Sequence, residues 1–182
     1  MLGIVPRSAG VLSMITLMFF GGGTAAAAVT THQPVAAQVG SARHVDAAGA
    51  FTALADFSSL TTRNVGKRTC EFRLQGTLTF TGTLEGVASG TTTALIDAPC
   101  AEALSNPPGT FRDVFRFGGD YAGTVDGVPA TGDLGYAGVT RPGGSIDATI
   151  ILRADRAKAV LHTVDAQIGV GGAYRGVAVI KG

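Results

Sequence analysis

Strict alternation of apolar and polar residues is the clearest pattern in the chain, and it runs from Cys70 to Glu85. The apolar residues occupy even-numbered positions: Cys70, Phe72, Leu74, Leu78, Phe80 and Leu84. The odd-numbered positions carry only threonine, glutamate, arginine or glutamine. A period of two predicts one long β-strand with a buried face and a face in water. Gly76 and Gly82 within this run predict bends or bulges.

Further strand-like segments follow at regular spacing. Phe111, Phe115 and Phe117 share one face of a segment at 110–117, and the segment 145–153 alternates strictly. The other predicted strands are 87–96, 121–125, 130–140, 159–168 and 173–180. Asp126-Gly127 and the Arg-Pro-Gly-Gly stretch at 141–144 are turn signals, and the proline-rich stretch 97–109 predicts a loop with one helical turn. About eight short strands joined by turns predict an all-β barrel or sandwich.

The N-terminus has the three parts of a secretory signal. Arg7 precedes an apolar run at 11–20, Gly21–Gly23 ends that run, and small residues follow up to Ala28. Residues 1–28 are therefore predicted to be a cleaved signal peptide. The alternative is an uncleaved membrane anchor, but that requires about 20 apolar residues without helix breakers. Residues 29–49 show no periodicity and predict a flexible arm ahead of a domain at 50–182.

Charge and hydropathy limit the partners of the domain. Loss of Arg7 from the 14 basic residues leaves as many basic as acidic residues, of which there are 13. A balanced charge gives no electrostatic footprint for nucleic acid or an anionic membrane surface. No second apolar run is long enough to span a bilayer. These observations predict a secreted or envelope-associated protein without a nucleic acid partner.

Both cysteines lie after the predicted signal. In an exported chain, Cys70 and Cys100 are most simply one disulfide that closes a loop of about 30 residues. A bridge of that span would stabilise the fold by roughly 3–4 kcal/mol. The alternatives are a buried thiol pair or a nucleophile, although the chain has no CxxC spacing and no histidine close in sequence to support them.

Three glycine-bearing motifs carry a resemblance to a known superfamily. They are FTGTLEG at 80–86, YAGTVDG at 121–127 and GGAYRG at 171–176. In order and spacing they resemble the allene oxide cyclase-like and dirigent-like barrels, including small bacterial domains of unknown function, over about 70–182. The resemblance implies an eight-stranded antiparallel barrel with a central cavity, often in a homo-oligomer. A barrel of that size holds side chains or one small ligand. No catalytic residue is carried over from the plant cyclases.

Two ionisable residues interrupt apolar faces. Asp113 shares its face with three phenylalanines, and His162 shares its face with Val160, Val164, Ala166 and Ile168. Because an unpaired ionisable group is costly on an apolar face, both are candidates for a ligand site, with Tyr121 and Tyr136 beside them. The alternatives are a one-residue bulge, a satisfied core histidine and an aspartate that caps a loop. The tyrosines are alternatively packing residues.

No cofactor or metal site is predicted. The chain contains no HExxH, GxSxG or P-loop motif, and its three histidines are scattered. We therefore favour a secreted β-barrel that binds a small apolar molecule or acts at the cell envelope. One alternative is a cyclase or isomerase that works in the barrel cavity. The other is a structural or protein-interaction barrel with a filled interior. A cavity lined by convergent polar groups would distinguish the first two from the third.

Overall fold

The computed structural model describes residues 41–181, which form one closed antiparallel β-barrel. Its strands are β1 (Arg43–Asn64), β2 (Cys70–Gly82), β3 (Leu84–Ile96), β4 (Asp113–Val125), β5 (Val128–Thr140), β6 (Ser145–Ala154), β7 (Ala157–Gln167) and β8 (Gly171–Ile180). Each strand pairs with its neighbours in sequence, and β1 closes the barrel by pairing with β8. The prediction of an eight-stranded antiparallel barrel is confirmed.

The two ends of the barrel differ in how the strands are joined. At one end, the turn end, short connections follow β2, β4 and β6. At the other, the loop end, longer connections follow β1, β3, β5 and β7. The longest of these is residues 97–112, named here the capping loop, which contains a short helix α1 (Cys100–Ser105). The predicted loop with one helical turn is confirmed.

The structure has eight strands, as predicted, but two differences in the strands themselves offset each other: two predicted segments merge, and one strand is additional. The segments expected at 110–117 and 121–125 form one strand, β4, apart from residues 110–112, which belong to the capping loop; β4 is paired through Gly118 and Gly119 with β3 and β5. Strand β1 was not predicted. Its inner positions near the loop end are small, with Ala53 and Ala55 in place of large apolar residues, so its alternation is faint in the sequence.

The flexible arm predicted for 29–49 is wrong at its C-terminal end. Strand β1 begins at Arg43, inside that range, and pairs with β8 from Arg43 to Thr52. Ala47 and Phe51 enter the core of the barrel, and these contacts hold the segment in place. The predicted signal peptide at 1–28 and the part of the arm up to residue 40 lie outside the described residues.

The long strand predicted over 70–85 ends three residues earlier than predicted, at Gly82. Strand β2 ends at Gly82 and β3 begins at Leu84, with Phe80 and Leu84 both buried on the inner face. Gly82 has φ +101°, a conformation that residues with an L side chain rarely adopt. The alternation continues across the turn, so the pattern alone did not reveal the exact residue at which the chain reverses.

Strand β1 is longer than its partner β8. Pairing with β8 stops at Thr52, whereas pairing with β2 continues to Asn64. Between Asp56 and Thr61, β1 contains three more residues than the facing segment of β2, which forms a bulge. The upper part of β1 therefore bends at the loop end.

The predicted disulfide between Cys70 and Cys100 is confirmed, with Cα atoms 4.8 Å apart. Cys70 opens β2 and Cys100 opens α1, so the bond ties the capping loop to the barrel wall. The two residues form a small core with Ala98 and Ala103, against which Phe111 packs.

Candidate functional site

A cavity of about 530 Å³ occupies the loop end of the barrel. It exists because inner positions of β1, β2 and β3 near this end are small, at Ala53, Ala55, Gly76 and Ala94. Larger apolar side chains form the rest of the wall, among them Phe51, Leu74, Phe111, Phe115, Phe117 and Ile168. The volume falls within the range of roughly 300–1,000 Å³ that is typical of small-molecule sites.

The capping loop covers part of this cavity and is attached at several points. The backbone N–H of Gly143 donates to the carbonyl of Gly109 at 2.9 Å, and the N–H of Ile168 donates to Gly144 at the same distance. The first bond attaches the capping loop to the connection after β5, the second joins that connection to the one after β7, and the Cys100 disulfide attaches the capping loop to β2. The covering of the cavity is therefore built into the fold.

Apolar side chains that line the cavity also reach the surface. Leu54, Phe57 and Leu104 are 75%, 59% and 54% exposed. Phe57 lies in the bulge of β1, and Leu104 lies in α1. Clustered exposed apolar residues beside a cavity are typical of an entrance for an apolar molecule.

Asp113 begins β4 on its inner face and lines the cavity. Its side chain is buried, with the residue only 6% exposed, and its Oδ1 atom has no hydrogen-bond partner within residues 41–181. Burial raises the pKa of this carboxyl, while hydrogen bonding from Thr140 and the charge of Arg112 act in the opposite direction. Thr140 is the residue directly opposite Asp113 on β5.

Tyr136 lies on the inner face of β5 and also lines the cavity. Its ring is held edge-on between Phe51 and Phe115, at centroid distances of 5.5 and 4.9 Å. The residue is 5% exposed, and its hydroxyl has no partner within the described chain. Burial raises the pKa of this hydroxyl, and the nearby charge of Asp113 raises it further.

Asp113 and Tyr136 thus lie in the wall of a largely apolar space, which the side chains of several threonines, Asn106 and Gln167 also line. Among the described residues that line the cavity, they are the only ones with a titratable side chain. Buried polar groups normally have partners, because each unsatisfied group costs about 1–3 kcal/mol. Asp113 Oδ1 and the Tyr136 hydroxyl are therefore exceptions, and both are buried within the wall of the same cavity. The structure places both residues in the wall of the cavity, and their role as ligand-binding residues remains a prediction.

His162 does not belong to this site, and its prediction as a cavity residue is wrong. It is exposed on the outer face of β7, where its Nδ1 lies 3.3 Å from the hydroxyl of Thr149. The inner face of β7 carries Ala159 and Leu161 instead. The valines that made the outer face appear apolar stand at the barrel surface, and Val160 is 45% exposed.

Tyr121 was also predicted as a site residue and lies elsewhere, packed near the turn end. Its hydroxyl donates to the carbonyl of Thr124 at 2.8 Å, and burial raises its pKa to about 12. Tyr174 is similar: its hydroxyl accepts from the N–H of Leu84 at 2.8 Å. A Cβ at position 49 would collide with the Tyr174 hydroxyl, so Gly49 makes room for this ring. Both tyrosines are structural.

Sequence reasoning missed Thr140 and the capping loop as parts of the site. Thr140 precedes a strong turn signal and was assigned only to a strand end. It pairs with Asp113 on the inner face, and its exposed fraction is only 1%. The sequence signal for the pairing of Asp113 with Thr140 is the hairpin turn at Asp126-Gly127, because this turn determines which residues of β4 and β5 face each other.

Comparison with known proteins adds no assignment: no family model, curated protein or solved structure matches the chain. Within residues 41–181, no group of three His, Cys, Asp or Glu side chains is arranged to hold a metal ion. Over the same residues, no helix has the length and apolar character needed to cross a membrane.

Proposed function

We propose that this barrel binds a small, largely apolar molecule in the cavity at its loop end. The observation that carries the proposal is a largely apolar cavity of about 530 Å³ with Asp113 and Tyr136 in its wall, each with one buried polar atom that has no partner within residues 41–181. Apolar walls with a few convergent polar groups are the general form of a small-molecule site. In sites of this form, the walls supply affinity and the polar groups supply orientation.

The contrast between the two ends of the barrel supports a binding role over a filled barrel. Eight-stranded barrels are narrow enough for side chains to fill the interior. At the turn end, Phe80, Tyr121 and Tyr174 fill it, with ring centroids about 6 Å apart. At the loop end, alanine and glycine occupy positions where larger residues would close the space. A purely structural barrel would gain stability from larger residues there.

The proposed place of action is outside the cytoplasm, in a secreted or envelope-associated form. The Cys70–Cys100 disulfide supports this, because such bonds persist in oxidising compartments. The proposal includes a relationship to the allene oxide cyclase-like and dirigent-like barrels. The closed eight-stranded antiparallel architecture with a cavity is consistent with the form that this resemblance implies.

Binding is tested with N-phenyl-1-naphthylamine, an uncharged dye that becomes fluorescent in apolar surroundings. We expect saturable fluorescence with the wild-type protein. Ala94 lines the cavity from β3, so Ala94→Phe places a ring in the space and should weaken dye binding at least tenfold. Ala122→Phe adds the same ring on the exposed outer face of β4 and should bind like the wild type.

Circular dichroism confirms that both variants are folded before dye is added. Equal binding by the two phenylalanine variants would mean that the dye binds the outer surface. No saturable binding by the wild type would contradict the proposed function.

A further inference from the structure

The outer wall of the barrel over β4 to β7 has its charges sorted by sign. One row of directly paired residues, named here the charged row, crosses the four strands in the order Asp120, Asp133, Arg153 and Lys158. All four residues are exposed, and none of them forms a salt bridge within residues 41–181. Of the three cross-strand pairs in the row, two are therefore of like charge, acid against acid on β4 and β5 and base against base on β6 and β7. Like charges directly opposite each other destabilise a sheet, so this order is a cost to an isolated barrel.

The adjacent row towards the loop end is sorted by size. This row, named here the apolar row, crosses the same strands in the order Gly118, Gly135, Ile151 and Val160. A Cβ at either glycine would have no atom within 4 Å, and neither glycine has a positive φ, so the barrel itself does not require glycine there. Glycine inside a strand often marks a place that another backbone approaches closely. The apolar row thus has two recesses on β4 and β5 and two projecting side chains on β6 and β7.

A two-fold axis makes the charged row complementary to itself. If the axis lies parallel to the strands between β5 and β6, in the plane where two copies meet, β4 of one copy faces β7 of the other and β5 faces β6. Asp120 then faces Lys158 of the second copy. Asp133 likewise faces Arg153, so every acid in the row meets a base. Complementary charges of this kind determine the register of an interface.

The same axis makes the apolar row complementary in shape. Gly118 of one copy faces Val160 of the other, and Gly135 faces Ile151, so each recess receives a projecting side chain. We propose that a second copy of this chain docks on the outer wall of β4 to β7 and forms a two-fold symmetric dimer. Such isologous contacts, in which each residue pair occurs twice, are the commonest form of homo-oligomer interface. Strand β1 takes no part in this contact.

The size of the shared surface determines how strong the dimer is. Four strands and three rows cover roughly 19 by 20 Å of the wall. This face-on area is about half of the 800 Å² per partner that is typical of a stable interface, so the dimer is weak and depends on concentration. In the third row, nearer the loop end, Ala137 faces Thr149 and Arg116 faces His162. The last contact holds a single positive charge only while the imidazole is neutral, so association is measured at pH 8.

Sedimentation equilibrium of the exported protein, from about 5 to 500 µM in low salt, measures the association. We expect a monomer–dimer equilibrium for the wild type. Replacing both acids of the charged row with lysine makes the row wholly basic, and replacing both bases with glutamate makes it wholly acidic. Each double variant should associate at least tenfold more weakly than the wild type. An equimolar mixture of the two should form a one-to-one dimer, because every position of the row then faces an opposite charge.

Two further variants separate this surface from a general effect of charge or folding. Glu85→Lys combined with Glu102→Lys changes the net charge as much as the basic variant does, but at exposed positions outside the wall of β4 to β7, and should associate like the wild type. Gly135→Val fills one recess with a residue that favours strands. It should weaken association at least tenfold without lowering the Tm of the barrel, measured by circular dichroism.

Three outcomes would overturn the proposal. The first is a wild type that remains monomeric at 500 µM. The second is a dimer that persists unchanged in both charge variants and in Gly135→Val, because the interface would then lie elsewhere. The third is a mixture of the basic and acidic variants that does not associate, because the charged rows would then not face each other. The dye-binding experiment is independent of all three.

Discussion

Replacing Tyr136 with phenylalanine should make this protein more stable, although most substitutions of buried residues destabilise a fold. The tyrosine ring packs edge-on against Phe51 and Phe115, and phenylalanine retains both contacts. What is lost is a hydroxyl that has no partner within residues 41–181. Burying such a hydroxyl costs about 1–3 kcal/mol in proteins, so its removal returns part of that cost.

We expect the free energy of unfolding of Tyr136→Phe to rise by about 1 kcal/mol, the lower end of that range. For a domain of this size, such a gain corresponds to an increase in Tm of about 4 °C. Guanidinium chloride unfolding, followed by far-ultraviolet circular dichroism, measures the change in the ligand-free protein. This signal is independent of the tyrosine that is removed.

The matched control is Tyr174→Phe, which removes a hydroxyl that is fully bonded. The N–H of Leu84 donates to that hydroxyl at 2.8 Å, and the hydroxyl lies 3.1 Å from the carbonyl of Thr81. Its loss should lower the free energy of unfolding by about 1–3 kcal/mol, because the buried N–H loses its partner. Equal destabilisation by the two substitutions would refute the reasoning, since Tyr136 would then be an ordinary satisfied core residue.

Three further predictions concern other parts of the molecule. Burial raises the folded-state pKa of the Asp113 carboxyl above 3.8. Its favourable contribution to stability is therefore present at acid pH and is lost as the pH rises through the folded-state pKa. Relative to Asp113→Asn, the free energy of unfolding of the wild type, measured from pH 3 to 8, should fall as the pH rises. A constant difference would contradict this. Replacing Cys70 and Cys100 with serine opens a closed loop with a separation of 30 residues. The free energy of unfolding, measured with a denaturant, should fall by about 3–4 kcal/mol. A fall of less than about 1 kcal/mol would mean that the capping loop is held by its other contacts. Intact mass of the exported protein should correspond to a chain beginning near Val29, and a retained Met1 would contradict the signal peptide.

The sequence contained enough information to assign Asp113 and Tyr136 to one face of the sheet, because it contains the hairpin turn between β4 and β5. Asp126 and Gly127 form a two-residue turn between β4 and β5, and pairing outwards from it places Asp113 opposite Thr140 and Phe117 opposite Tyr136. Residues opposite each other across two strands share a face. The amino-acid sequence by itself therefore suffices to assign Asp113 and Tyr136 to the same side of the sheet.

The location of His162 could not be inferred in the same way. The pairing of β7 with β8 shifts between Val164 and Gln167, and Asp165 has φ +50°. A shift of one residue exchanges the inner and outer faces, and nothing in the sequence around Asp165 signals it. In the sequence, the outward-facing valines of β7 resemble core residues, because much of the inner face of β7 consists of small alanines.

Strand β1 was missed for a related reason. The cavity requires small residues on the inner wall, and Ala53 and Ala55 remove the large apolar positions by which a strand is recognised. The feature that makes room for a ligand is thus the one that weakens the sequence signal of the strand.

The length of β1 also bears on how copies of this protein avoid one another. Beyond Thr52 the strand has left β8, so one edge of its upper part has no strand beside it in the described structure. Open edges of this kind are templates for intermolecular sheet growth. Here the edge is interrupted in three ways. The three extra residues bend the strand, and the Asp56 carboxylate accepts a hydrogen bond from the N–H of Ser58 at 3.0 Å. Arg63 also places a charged side chain near the tip of the strand. Deleting the bulge would produce a straight edge, and strand exchange between molecules would then compete with closure of the barrel.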